Sequence, residues 1–399
     1  MRTELLLRLG SVSDRPLYPL WAVADEVNQR NVGLAETNLL SLSYGKVIRK
    51  DINEVGGLRP GSYESYNIIQ AGDTVLRMTD LQNDQRSIRS GYTSETGIIT
   101  SAYITLRPRL ERIEPRYLSS AMRAYDVAKV YYDMGGGVRQ TLKFEELSQL
   151  PVPLPSLPEQ RRIADYLDRE TAEIDTMDAE LDRLVEKLRE RRAAAVETAI
   201  GRAFREAPLA PIWSLLAPVK DQDHPGEQVL SVYREYGVIP KDSRDDNANR
   251  TPENLTTYQL VRPGDLVVNK MKAWQGSLGV SVHRGIVSPD YQVCRPVGAG
   301  VDPAYLHAVL RSPQMIPLYR VRSKGVRPSQ WRLYWEDMAP LMIPVLDIES
   351  QRRIVAELDE QTARIDDIIA DAQHLKALLA ERRSTLITEV VTGRKEVPA

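Results

Sequence analysis

Gly72-Asp73 and Gly264-Asp265 each stand just ahead of an apolar run, "TVLRM" and "LVVNKM". A carboxylate in each place could hold a divalent metal for phosphodiester hydrolysis, which takes clustered carboxylates with a lysine. Gly-Asp before an extended run is more often a turn, and the turn is the favoured reading. Pro289-Asp290 in "SPDYQVCRP" has no acidic-x-Lys behind it and reads as a turn into a strand. A methyl transfer to adenine would need an Asn/Asp-Pro-Pro-Tyr/Phe stretch and a glycine-rich cofactor loop. Neither is present, and "GGGV" at Gly135 lacks the G-x-G-x-x-G spacing. One cysteine, Cys294, and four scattered histidines give no zinc pattern. No catalytic centre and no resident metal or cofactor are therefore expected on this chain.

What remains for chemistry is a set of basic and amide side chains on turns. The first half offers Arg77, Thr79, Gln82, Arg86 and Arg89 in "RMTDLQNDQRSIR", then Arg139, Gln140 and Lys143 in "GGGVRQTLK". The second half offers Asn269, Lys270, Lys272, Trp274 and Gln275 in "NKMKAWQGS". It also offers Lys324, Arg327, Gln330 and Arg332 in "RSKGVRPSQWR". Arg and Lys suit phosphates and guanine edges, while Asn and Gln pair with adenine. Alone, each cluster could equally be polar surface.

The elements that must position these side chains come twice. "LPEQRRIADYLDRETAEID" from Leu157 returns as "IESQRRIVAELDEQTARID" from Ile348. The repetition continues in order along the chain: "PLWAVA" and "PIWSLL", "YNIIQAGDTVL" and "YQLVRPGDLVV", "GIITSAYITLRP" and "GIVSPDYQVCRP", "EPRYL" and "DPAYL". Collinear matches of this kind mean two homologous halves. The expected domains are 1–155, a globular head; 156–205, a helix; 206–346, a second head; and 347–399, a second helix. Each head mixes strand-like apolar runs with helices opened by Pro, a mixed α/β (α+β) domain.

The helical segments contain no Gly or Pro between Glu159 and Ile200, or between Glu349 and Thr392. Apolar residues recur at spacings of three and four: Ile174, Met177, Leu181, Leu184 and Leu188, then Ala195. The second copy gives Ile365, Ile368, Ala372, Leu375 and Leu379, then Leu386, in the same phase. That is a heptad seam, and it predicts that the two long helices pack on each other as an antiparallel coiled coil. Arg191 and Arg382, with Glu170 and Gln361, fall at polar seam positions in this phase.

The chain has 399 residues with a net charge of −2. The heads are mildly basic and the helices acidic, so a phosphate backbone would meet the heads and the helices would meet protein. No apolar run approaches the roughly 18 residues of a membrane span, and the three leucines of "MRTELLLRLG" are too short for a signal peptide. With a lone cysteine, a cytoplasmic location is expected.

This duplicated head-and-helix plan resembles the specificity subunit of type I restriction-modification systems. There a "P-L-P-P-x-x-E-Q-x-x-I" entry into a long helix occurs twice, each time after a variable target-recognition domain. The first copy here reads "PVPLPSLPEQRRI", with Pro155, Pro158, Glu159, Gln160 and Ile163. The second, "MIPVLDIESQRRI", keeps Gln351 and Ile354 but has Asp347 and Ser350 where Pro and Glu stand in the pattern. Asp347 still supplies a helix N-cap.

The resemblance implies two target-recognition domains on a pseudo-two-fold frame, reading a bipartite, asymmetric site in double-stranded DNA. It implies partners: two methyltransferase subunits on the helices and restriction subunits beyond them. S-adenosylmethionine, ATP and Mg would belong to those subunits. The resemblance supplies no reading code for individual residues. Two alternatives stay open: the specificity subunit of another two-headed restriction system, and a coiled-coil scaffold that binds only protein.

Overall fold

The computed structural model describes residues 15–52, 60–82, 84, 87–134, 141–234, 236–243, 251–298, 300–327 and 330–398. The chain divides into two compact units. One comprises Met1–Leu181 with Gln373–Ala399, the other Asp182–Ala372. The first unit contains strands β1 (Leu17–Pro19), β2 (Ala24–Glu26), β3 (Leu40–Ser43), β4 (Lys46–Arg49), β5 (Asn67–Ile69), β6 (Thr74–Leu76), β7 (Ser90–Tyr92), β8 (Gly97–Ile99) and β9 (Ile104–Pro108). Helices α1 (Pro115–Val127) and α2 (Phe144–Leu147) and strand β10 (Pro151–Pro153) follow. Helix α3 (Leu157–Glu206) then contributes residues to both units.

The second unit repeats the plan. It has β11 (Leu209–Pro211), β12 (Leu216–Val219), β13 (Leu230–Tyr233), β14 (Gly237–Pro240), β15 (Gln259–Val261), β16 (Leu266–Asn269), β17 (Leu278–Val280), β18 (Gly285–Val287) and β19 (Tyr291–Pro296). After these come α4 (Pro303–Leu310), α5 (Ile316–Arg322), α6 (Trp335–Met338), β20 (Met342–Pro344) and helix α7 (Ile348–Thr392).

The strand orders match one for one. The first unit has a four-stranded sheet β2-β9-β6-β7 with pairs β1-β10, β3-β4 and β5-β8. The second has β12-β19-β16-β17 with β11-β20, β13-β14 and β15-β18. Every pairing among these strands is antiparallel. Each unit is thus an α+β head joined to helical segments, as the duplicated sequence predicts.

The Gly-Asp pairs are turns. Asp73 is buried, and its carboxylate accepts from the Gln70 N–H at 2.8 Å and from Arg107 at 3.0 and 2.7 Å. Asp265 accepts from the Arg262 N–H at 2.9 Å and from Arg295 at 2.9 and 2.8 Å. Each carboxylate is spent on its own turn and on a two-pronged ion pair to the neighbouring strand.

The heads and helices share cores. In the first unit Leu20, Leu76, Leu106, Tyr117, Leu118 and Tyr125 pack in one cluster with Ile163, Tyr166 and Leu167 of α3 and Leu386, Ile387, Val390 and Val391 of α7. In the second, Ile212, Leu266, Cys294, Tyr305 and Leu306 pack with Ile200 of α3 and Leu358 of α7. Burial pushes the Cys294 thiol up, which keeps it inert.

Within each unit the two helical segments run antiparallel. In the first, Asp178 meets Lys376 at 3.5 Å and Asp175 pairs with Arg383. In the second, Arg192 Nε donates to Asp366 at 2.8 Å. The seam differs from the sequence reading by one residue on alternate steps. Ile174, Leu181, Leu188, Ile365, Ala372 and Leu379 face inward. Met177, Leu184, Ile368 and Leu375 do not: they are 44, 40, 39 and 46% exposed. Their places are taken by the next residue along, Asp178, Val185, Ile369 and Lys376, which are buried or half-buried. At the polar seam positions Arg191, Arg382 and Gln361 are exposed, Glu170 and Thr171 are both half-buried, and Thr362 and Arg383 lie inside. At Asp178 and Lys376 an interhelical ion pair fills the positions that an apolar count assigns to the neighbours.

Candidate nucleic-acid interface

Why each head ends in the same motif is visible at the helix entries. Gln160 is fully buried. Its side-chain oxygen accepts from the Glu114 N–H at 2.8 Å, and its amide donates to the carbonyls of Arg112 at 3.1 Å and Pro155 at 2.8 Å. Gln351, also fully buried, accepts from the Asp302 N–H at 2.8 Å and donates to Gly300 at 3.0 Å and Leu346 at 2.8 Å. The residues so gripped cap the next helix. Glu114 accepts from the Tyr117 N–H at 2.7 Å, and Asp302 from Ala304 and Tyr305 at 3.0 and 3.2 Å. Asp347, where the second copy departs from the pattern, accepts from the Ser350 N–H at 2.9 Å, and that bond holds its pKa below the ordinary carboxylate value.

From this frame each head extends its turns. In both, a β-hairpin ends in a Tyr-Gly step with positive φ at glycine, Gly45 at 76° and Gly237 at 73°. A half-buried arginine holds the hairpin. Arg123 donates to the carbonyl of Gly45 at 2.6 Å and to Ser90 Oγ at 2.8 Å. Arg311 donates to the carbonyls of Leu278 at 2.7 Å and Arg234 at 2.6 Å, and burial pushes it down to about 10. Beside Arg311, burial and the arginine charge push His307 down to about 4; its Nδ1 accepts from the Val280 N–H at 3.2 Å.

In the second unit the two basic clusters meet. The Leu333 N–H donates to the Lys270 carbonyl at 2.8 Å, and Lys324 and Arg332 face each other across a β-bridge. Trp274 and Trp331 stack edge to face with centroids 5.4 Å apart. Lys272, Arg327 and Gln330 are exposed; Gln275 is half-buried. Others are already engaged. Lys270 Nζ donates to the Pro289 carbonyl at 2.7 Å, Lys324 pairs with Asp337 at 2.6 Å, and Arg332 lies 3.6 Å from Asp290. Asn269 Oδ1 accepts from the Met271 N–H at 3.1 Å. The Trp274 indole donates to the Met271 carbonyl at 3.1 Å, so this ring packs the cluster together.

In the first unit the same junction recurs: the Leu142 N–H donates to the Met78 carbonyl at 3.0 Å, which sets Lys143 beside the loop that starts at Arg77. Gln82 and Lys143 are exposed; Arg77 and Thr79 are half-buried. Arg86, Arg139 and Gln140 lie outside the described residues. Arg89 does not belong on a contact surface. Its side chain is 0% exposed and is consumed by the carbonyls of its own loop. Trp331 was visible in "PSQWR" but carries no signal of its own. Gln160 and Gln351 were visible only as repeated letters, since a clamp between distant segments leaves no local pattern.

Residues 88–186 match the family described as type I restriction modification DNA specificity domain. The chain is 22% identical over 340 residues to the type I restriction enzyme EcoBI specificity subunit of Escherichia coli, across 75% of this chain and 70% of that subunit. By structure it is similar to a chain from work on complex assembly and conformational transition of the type I R-M system. That match has a TM-score of 0.59 and 17% identity, over 95% of this chain and 98% of the other. The HsdS subunit from Thermoanaerobacter tengcongensis matches at 15% identity and a TM-score of 0.46, over 96% and 98% of the chains. Residues 88–186 thus match the type I DNA specificity domain, and the chain as a whole is similar to the specificity subunits of type I restriction enzymes.

Proposed function

We propose that this chain is the non-catalytic recognition subunit of a type I restriction-modification complex and reads a bipartite, asymmetric site in double-stranded DNA, one half-site per head. The observation that carries the reading is the matched junction in the two heads. Leu142–Met78 and Leu333–Lys270 fix the same frame, yet the side chains mounted on it differ, Gln82 and Lys143 against Lys272, Arg327 and Gln330. One frame carrying two sets of polar tips suits two different half-sites, whereas identical tips would suit a palindrome. The acidic helices suit protein partners: two methyltransferase subunits, with restriction subunits joining them. S-adenosylmethionine, ATP and Mg belong to those partners, and the complex works in the cytoplasm. Among the described residues no helix is long and apolar enough to cross a membrane.

The test is to co-express the chain with its methyltransferase partners and map N6-methyladenine across the host DNA. A two-part motif that needs this chain, with one half changed by exchanging residues 1–155, is the expected result. Methylation that continues unchanged without the chain would refute the reading.

A further inference from the structure

Arg89 closes the loop between β6 and β7 in the first head, and its burial there is complete. A guanidinium carries five N–H donors, and each has an acceptor. Nε donates to Tyr132 Oη at 3.0 Å, and Nη1 to the carbonyls of Arg77 at 3.2 Å and Thr79 at 2.8 Å. Nη2 donates to the carbonyls of Asp80, at 3.2 Å, and of Asp84. Tyr132 Oη in turn donates to the Asp84 carbonyl at 3.1 Å. The Arg89 backbone is pinned as well: its N–H and that of Ser90 both donate to the buried carboxylate of Asp126, at 2.6 and 2.9 Å. Asp80, at φ 58°, takes the left-handed turn that points its carbonyl inward.

A charge out of water is costly unless fully bonded. The loop therefore has one low-energy way to close: with the carbonyls of Arg77, Thr79, Asp80 and Asp84 converging on Arg89. In that arrangement Gln82 stands exposed between Arg77, Thr79, Asp80 and Asp84, which are half-buried, and the Asp84 carboxylate turns back to lie 3.9 Å from Arg89. The second head closes its shorter turn differently. The Gln275 and Gly276 N–H groups bond back to Lys272 and Ala273 at 3.0 and 2.8 Å, and the Trp274–Trp331 stack secures the turn. Among the described residues no guanidinium gathers the carbonyls of that turn; Arg311 reaches the Leu278 carbonyl just beyond it.

We propose that Arg89 is a positioning residue that sets the base preference of the first head. It touches no base; it fixes the loop whose tips, Thr79 and Gln82 among them, face the DNA. The inference rests on the recognition reading above.

The test uses the full complex with Arg89→Lys, Tyr132→Phe and, as a stability control in the same head, Arg107→Gln. Methylation motifs and thermal unfolding are measured for each. Lysine keeps the charge but loses the planar fork. Arg89→Lys should lower discrimination at one or more positions of the first half-site about tenfold, within the range a good base contact supplies, and leave the second half-site intact. Tyr132→Phe, which deletes one hydroxyl, should relax the same positions less. Arg107→Gln should lower the unfolding temperature with the motif unchanged. If Arg89→Lys keeps the full motif and only loses total methylation in step with its stability, the proposal is overturned. An unchanged motif in Tyr132→Phe overturns it too where Arg89→Lys does not fold. Exchange of residues 1–155 is run alongside. If the exchange leaves the motif unchanged, the recognition reading itself has failed; if the exchange works and the loop variants are silent, only the role of Arg89 has.

Discussion

Gln160 and Gln351 make the same three hydrogen bonds, each accepting from the N–H of the residue that caps a helix and donating to two carbonyls on either side of the helix entry. A glutamine fully buried with every bond made is a rigid joint, because any rotation leaves a polar atom unsatisfied in a dry place.

Gln160→Ala and Gln351→Ala should each destabilise their own unit by about 2–4 kcal/mol, since a buried N–H and two carbonyls lose their partner together. Glutamate at these positions should also destabilise, because it accepts but cannot donate to the carbonyls. Urea unfolding followed by tryptophan fluorescence checks this, with Trp21 reporting on the first unit and Trp213 on the second. A change below about 0.5 kcal/mol would show that the joint is not rigid.

His307 predicts a pH dependence confined to the second unit. Burial and Arg311 hold its pKa near 4, below the unfolded value of 6.5. The unfolded chain therefore binds the extra proton first, and stability falls as pH drops from about 6.5 to about 4. The shift corresponds to about 3 kcal/mol at the acid end. His307→Gln should remove this slope. Unfolding measured between pH 4 and 7 should show a flatter profile in the variant, and parallel profiles would refute the assignment.

Asp73 and Asp265 are structural. Asp73→Asn and Asp265→Asn should each cost about 3 kcal/mol, as expected when one partner of a buried ion pair is removed. Neither should abolish methylation at a temperature where the variant is folded. A folded Asp265→Asn complex devoid of activity would restore the catalytic reading of the Gly-Asp pairs.

Exposed Lys272, Arg327 and Gln330 separate by role. Lys272→Ala should weaken DNA binding across all sequences and reduce the slope of log affinity against log salt by about 1. Gln330→Ala should alter preference in the second half-site alone. With a chain near neutrality, the isolated subunit should bind weakly at physiological salt, the partners supplying most of the phosphate neutralisation. Nanomolar binding by the subunit alone would contradict this.

The duplication and the long helices were legible because they are patterns in sequence order. The matching strand orders of the two heads follow from the paired runs "TVLRM" and "LVVNKM" and the helices behind "EPRYL" and "DPAYL". The helix seam was legible only in part. Met177 and Leu375 look like core residues, yet Asp178 and Lys376 occupy the interface because they satisfy each other across it at 3.5 Å. An apolar count cannot see a position filled by an ion pair. Arg89 misled for the same reason: an arginine on a polar loop looks solvent-facing until the loop's carbonyls are found around it.

The first unit's core has a consequence for how the protein is made. Val390 and Val391 of α7 are buried among residues from Leu20 to Leu167, and Arg15 Nη1 donates to both of their carbonyls, at 2.7 and 2.9 Å. The first head thus waits until the far end of α7 has been synthesised, a delay of roughly 11–45 s at ordinary elongation rates. The second unit draws its segments from a contiguous stretch, Asp182–Ala372, and can close first. Biosynthesis therefore completes the heads in reverse order, and a nascent chain stalled before α7 would hold an open, apolar first head for chaperones to cover.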